Sequence, residues 1–121
     1  MGLFNRRTEE EKRHQEIGRF LLPGEEIELE FGNVDKAFIT NKRVIFKDIS
    51  VSFTSDLLEM VFIPLTRLDG VSYVEMNKMV FTRAVRIKSR GFSHDMGFAK
   101  AQEDECIQAC QRLSEIMLRN V

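Results

Sequence analysis

The chain has no tryptophan, one tyrosine, two prolines and two cysteines in 121 residues. With tryptophan absent, phenylalanine, present ten times, is the aromatic filler of any core. Two cysteines are too few for a disulfide framework. Cys106 and Cys110 lie four apart in a segment of helical periodicity, which stacks them on one face as buried reduced thiols and calls for no metal. No apolar run approaches the length that spans a bilayer, and the start, Met1 to Arg7, is too poor in apolar residues for a secretory signal, so a cytoplasmic address is expected. Met1-Gly2 opens a myristoylation pattern, but that pattern wants Ser or Thr where Arg6 stands. Net charge is −1 and the sequence pI near 6.1, so no overall positive field draws the chain to nucleic acid or anionic membrane. Any such binding needs a local patch. A Gly-rich phosphate loop is missing too, since Gly91 and Gly97 are isolated, and no cofactor is expected.

What is present suits one globular domain: 43% hydrophobic and 31% charged residues, in a length that buries roughly two-thirds of the unfolded chain's surface. The stretch Ala37 to Lys47 reads as a hairpin around Thr40-Asn41, because Asn tolerates the left-handed backbone of a tight turn. Val44 and Phe46 fall on one face of its second strand and Arg43, Ile45 and Lys47 on the other, where Ile45 sits oddly among charges. Before it, Thr8 with Glu11 makes a capping box for a short helix over Glu9–Arg19 whose apolar residues cluster late, at Ile17, Phe20 and Leu21. Pro23-Gly24 is a turn, dividing an N-terminal tail (1–21) from the domain proper (22–121). Glu26 to Phe31 alternates strictly, which predicts a strand with Ile27, Leu29 and Phe31 toward the core and three carboxylates in solvent.

Past Asp48 the parity of Ile49, Val51 and Phe53 reverses, as a bulge or turn would require, and 50–56 reads as a loop or hairpin tip. Glu59 to Leu65 is a strand ended by Pro64, which cannot donate to a ladder. Asp69-Gly70, Asn77-Lys78 and Arg90-Gly91 are turns, separating strands over Val71–Asn77, Met79–Ser89 and Phe92–Phe98. Arg83 falls on the apolar parity of its strand and is expected where that strand leaves the core. From Lys100 the period changes: Cys106, Ile107, Cys110, Leu113, Ile116 and Met117 recur at helical spacing, with acids early and Arg112 and Arg119 late. An amphipathic helix closes the chain.

Seven strands and a closing helix predict a mainly β protein, α+β by content: a strongly bent sheet or open barrel with the helix plugging one end. The run Phe38-Ile39-Thr40-Asn41-Lys42-Arg43-Val44-Ile45-Phe46, followed by Phe62-Ile63-Pro64-Leu65 and Val71-Ser72-Tyr73-Val74-Glu75, resembles the bacterial pleckstrin-homology-like domains over about Leu22 to Leu118. The resemblance implies two nearly orthogonal antiparallel sheets, no catalytic residues and, in some members, ring-like homo-oligomers. It does not imply a lipid ligand: eukaryotic phosphoinositide binders gather several Lys and Arg in the loop between the first two strands, and here Gly32 to Lys36 offers one Lys beside an Asp.

Ser93-His94-Asp95 has the residue types of a nucleophilic triad, but neighbours in a strand point to opposite faces and cannot converge. His94, sharing parity with Phe92 and Met96, reads as a partly buried, hydrogen-bonded histidine. Glu26, Glu28 and Glu30 lie in solvent, where desolvation cannot raise a pKa for acid catalysis. No enzyme emerges. Two surfaces invite binding: a basic stripe of Arg86, Lys88 and Arg90, joined by Lys42 and Arg43 if the fold allows, and an apolar tip that includes Val51, Phe53, Leu57 and Leu58. The sequence is thus expected to encode a non-enzymatic self-assembly or protein-binding module, with acidic strand one (Glu26, Glu28, Glu30) of one subunit meeting basic strand six of the next to close a homo-oligomeric ring. The alternative is a peripheral binder of anionic membrane, through the basic stripe and the apolar tip.

Overall fold

The structure, a computed structural model, describes residues 17–32, 36–49, 59–75 and 83–120. Within these it contains β1 (Ile27–Phe31), β2 (Ala37–Thr40), β3 (Arg43–Lys47), β4 (Met60–Pro64), β5 (Gly70–Glu75), β6 (Arg83–Ser89), β7 (Phe92–Phe98) and helix α1 (Glu103–Arg119). Two antiparallel sheets form, β1-β2-β3-β4 and β5-β6-β7, so the seven expected strands appear in order. The barrel is open: among the described residues one isolated bridge, Asp48 to Met96, joins the sheets. Ile17 and Gly18 are helical, while the rest of the helix expected at Glu9–Arg19 lies outside the described residues, as do the apolar tip and the start of the strand expected from Met79.

The main core lies between the sheets and α1. Val44, Phe46, Val85, Ile87, Met96 and Phe98 meet Cys106, Ala109, Leu113 and Ile116 there. The helix buries this stripe because residues three and four apart share a face. Ile107, expected in the stripe, lies 39% exposed, and Ala109 takes its place in the core. On β6, Val85 and Ile87 are fully buried as expected, whereas on β7 burial runs unbroken from Asp95 to Phe98 and Phe92, expected to share the face of Met96 and Phe98, is exposed.

A second, smaller core explains the anomaly at Ile45. Ile17, Phe38 and Ile45 cluster on the outer face of the first sheet, with Leu21, Ile27, Met60 and Phe62 around them. The segment 17–22 therefore covers a sheet face that the hairpin's charged neighbours suggested was wet, and Ile45 is fully buried. Ile27 reaches this outer cluster through a bulge. Its partner is Thr40 and that of Leu29 is Ile39, so Glu28 is the extra residue and the parity of β1 flips there. Strict alternation was thus misleading: Phe31 faces the main core, Ile27 faces the other side, and Leu29 stays 36% exposed.

The turn between β6 and β7 is the two-residue kind that matches strand twist. Arg90 and Gly91 both have positive φ, 53° and 85°, between paired Ser89 and Phe92. Between β2 and β3 the logic differs. Among the described non-glycine residues only Arg90 has a positive φ, so Asn41 does not supply a left-handed turn. Its side chain instead bridges to the Pro23-Gly24 turn.

Candidate docking surface

The Thr40-Asn41-Lys42-Arg43 turn is built around a buried carboxylate. Glu25 accepts two hydrogen bonds from Arg43, Nε to Oε2 at 2.9 Å and Nη2 to Oε1 at 2.6 Å. The Thr40 hydroxyl donates to Oε2 at 2.7 Å and the Leu22 amide to Oε1 at 2.9 Å. Thr40 Oγ1 in turn accepts from the amides of Lys42 and Arg43, at 3.0 and 2.8 Å. Asn41 accepts from the Glu26 amide and donates to the Gly24 carbonyl. Arg43 also donates to the Phe20 carbonyl and stacks its guanidinium 4.9 Å from the Phe62 ring centroid. The bond from Arg43 is the largest cause holding the Glu25 carboxyl down at about 2, against the opposing cost of burial. This motif, within the run that carries the sequence resemblance, is a clamp that pins 20–25 over the first sheet, and it consumes the charge of Arg43.

Immediately beside the clamp, the segment Leu65–Asp69 ties together three other parts of the chain. The Leu65 amide donates to the Lys42 carbonyl, and Asn120, just past α1, donates its side-chain amide to the Leu65 carbonyl. Two residues beyond Arg67, the Asp69 amide donates to the Lys88 carbonyl, and the Asp69 carboxylate accepts from the Arg90 amide at 2.7 Å. Lys42, Arg67, Lys88, Arg90 and Arg119 consequently stand on chain segments tied together at one pole of the molecule. All five are exposed, and none takes part in an ion pair among the described residues. Lys42 merely donates to the Pro23 carbonyl. Among the described residues on these turns, only Asp69 and Glu26 stand against them as exposed acids.

The residues singled out from sequence separate accordingly. Lys42, Lys88 and Arg90 meet at this pole. Arg86 shares its strand but is held by Asp95, with Nε to Oδ1 at 2.8 Å, and Asp95 as hydrogen-bond partner raises its pKa. Glu26 and Glu28 are exposed, and Glu30 pairs with Lys36. Val51, Phe53, Leu57 and Leu58 lie outside the described residues. Sequence reasoning missed Arg67 and Arg119, because neither belongs to a strand stripe. The signal available for both was position, one after the Pro64 strand stop and one at a helix terminus.

Two further polar clusters lie elsewhere. Arg83 bonds Glu103 at 3.0 Å, and Glu103 also accepts from Tyr73 at 3.0 Å. The Arg83 bond, then that of Tyr73, holds the Glu103 carboxyl below its usual range, while desolvation and then the Glu103 bond push Tyr73 up to about 12. Arg83 thus anchors the first turn of α1. His94 Nδ1 lies 3.0 Å from Asp48 Oδ2, and Asp48 Oδ1 accepts from the Asp95 amide at 3.2 Å, so the histidine ties the bridge between the sheets. Cys106 is fully buried; a hydrogen bond with Cys110, together with burial, pushes its thiol up. Among the described residues no group of three metal-ligating side chains converges, and no helix is long and apolar enough to cross a membrane.

No protein-family model matches the sequence, and neither does any curated protein. Solved structures do match the fold. A PH-domain-containing bacterial protein from Exiguobacterium sibiricum superposes with a TM-score of 0.58 at 15% identity, covering 83% of this chain and 54% of that one. The chain thus spans about half the length of that protein. A DUF1696 family protein with a pleckstrin-homology domain, from Shewanella loihica, superposes with a TM-score of 0.55 at 14% identity, covering 88% of this chain and 92% of that one. The order of seven strands and a closing helix, the two sheets and these two likenesses agree: the chain has the fold of the bacterial pleckstrin-homology-like domains.

Proposed function

We propose that this chain is a non-enzymatic binding module that docks an acidic partner surface through the pole around Leu65–Arg67. The observation that carries this reading is the gathering of Lys42, Arg67, Lys88, Arg90 and Arg119, exposed and without ion pairs among the described residues, in a chain whose net charge is −1. Elsewhere most arginines are neutralised: Arg43, Arg83, Arg86 and Arg112 each have a carboxylate partner, while Arg19 lies over the Phe20 ring. Cations left unpaired on one side raise the local potential and steer an anionic partner toward it. Titrating a labelled glutamate-rich peptide at low and physiological salt tests the reading by fluorescence anisotropy. Binding should weaken with salt and be lost in the double variant Arg67→Glu, Lys88→Glu; equal binding by that variant refutes it.

Self-association is the second reading, and the distribution of acids favours it. Helix α1 is about 25 Å long, begins with Glu103, Asp104 and Glu105, and ends with Arg119 at the basic pole. Glu26 and Glu28 on the first-strand side are exposed as well. Glu103 is held by Arg83 and Glu105 accepts from the Gly32 amide, so Asp104 and Glu28 are the exposed acids a second copy could present to the pole in a head-to-tail contact. Light scattering across protein concentration and salt tests this: a mass that grows at low salt and collapses to a monomer in Arg67→Glu supports it, and a constant monomer mass removes it.

A further inference from the structure

The five cations do not stand alone at their pole. Six large hydrophobic side chains are exposed among the described residues, and the three most exposed are Phe92 at 69%, Leu118 at 68% and Leu22 at 48%. Each sits on or beside a chain segment that forms the basic pole: Leu22 in the turn before β1, Phe92 at the start of β7 and Leu118 in the last turn of α1. Phe92 directly follows the Arg90-Gly91 turn. Leu118 precedes Arg119 and is two residues from Asn120, whose side chain bonds Leu65. Leu22 precedes Pro23, whose carbonyl accepts from Lys42. Apolar and cationic side chains therefore share one end of the molecule, each apolar residue on a different segment of the chain.

From this arrangement we infer that the pole docks on an anionic phospholipid bilayer, the cations meeting headgroups while Phe92, Leu118 and Leu22 enter the boundary with the acyl chains. The inference rests on the docking reading above and names the partner. A protein partner is the less fitting occupant, because protein interfaces concentrate their affinity in packed central anchors ringed by polar residues. Here the apolar groups are single residues spread over three separate segments of the chain and neighboured by cations without ion pairs among the described residues. A bilayer asks for no shape complementarity: scattered apolar tips and a positive field suffice, each basic residue adding to attraction for anionic lipid and each apolar tip adding buried area. The contact requires no headgroup pocket, so the lipid's charge matters and its chemical identity does not.

The absence of tryptophan makes the test direct, because one introduced indole reports its own surroundings. Phe92→Trp places the reporter at the pole, and Ile107→Trp, at a 39% exposed site in the first half of α1, serves as control. Vesicles of phosphatidylglycerol, and of phosphatidylcholine alone, are added at low and physiological salt. The expected result is a blue shift of the Phe92→Trp emission with phosphatidylglycerol only, diminished by salt, and none for Ile107→Trp. Adding Arg67→Gln and Arg119→Gln to Phe92→Trp should weaken partitioning roughly thirty-fold for the two lost charges. The glutamate-rich peptide is titrated in parallel. Peptide binding at the pole without a vesicle-induced shift overturns the lipid inference and leaves the docking reading standing. Failure to bind either overturns both, and equal shifts with the two lipids overturn the inference as well. Thermal unfolding midpoints of all variants confirm that they are folded before comparison.

Discussion

Glu25 is a carboxylate with a fully buried side chain and four hydrogen bonds, two of them from one guanidinium. A charge so placed is stable only while its partners remain. Arg43→Ala should destabilise the fold by about 3–5 kcal/mol, the cost of leaving a buried charge uncompensated, read from the urea unfolding midpoint. The pH dependence follows from the sign of the shift. The folded carboxyl titrates at about 2 against 4.5 for an ordinary glutamate, so its contribution is complete above pH 4.5 and is lost as pH falls toward 2. The shift corresponds to about 3 kcal/mol. Glu25→Gln should flatten the stability profile over that acid window while lowering stability at neutral pH; a wild-type profile with no slope there contradicts the account. None of this was legible in the sequence, where Glu25 is one of two successive acids after a turn and nothing marks it as the buried one. Its partners Thr40 and Arg43, by contrast, stand in the Ala37–Lys47 hairpin, which the sequence marks plainly.

At the scale of elements, the strands and the closing helix were readable because their periods of two and near four are imposed by burial on one face. The reading failed where a second layer intervened. Ile45 and Phe38 belong to a face that 17–22 covers, and a strand covered on both sides loses its alternation. The bulge at Glu28 failed for another reason: an inserted residue leaves the local pattern intact and changes only which side it faces. The covering segment has a measurable worth. Ile17 is 3% exposed within the outer cluster, and Ile17→Ala should cost about 2 kcal/mol in chemical denaturation, whereas a cost near zero would mean that the segment does not hold the sheet. The β6–β7 turn makes a separate prediction. Gly91 has φ 85° with open space around it, so Gly91→Ala meets no clash and carries only backbone strain, about 1 kcal/mol of lost stability.

For the whole molecule, the significant asymmetry is electrostatic. Sequence reasoning found the cations in a linear stripe, Arg86, Lys88 and Arg90, because strand spacing is visible along the chain. Folding breaks that stripe by giving Arg86 to Asp95, and assembles another group from five separate places: a hairpin turn, a short helical turn, a strand end, a second hairpin turn and a helix terminus. Proximity of this kind comes from topology, which no local spacing encodes. The same topology sets Glu103, Asp104 and Glu105 at the far end of α1 from Arg119. A chain with a net charge of only −1 thereby acquires a directed surface, as the docking reading requires.

The most direct measurement is to follow backbone amide resonances while the glutamate-rich peptide is titrated into the protein at low salt. The account predicts shifts confined to Lys42, the stretch 65–70, Lys88 to Gly91 and the last residues of α1, with Gly32, Tyr73 and Ile107 unmoved. Shifts centred on Gly32 and Lys36 instead, or an unchanged spectrum, would contradict a docking pole around Leu65–Arg67.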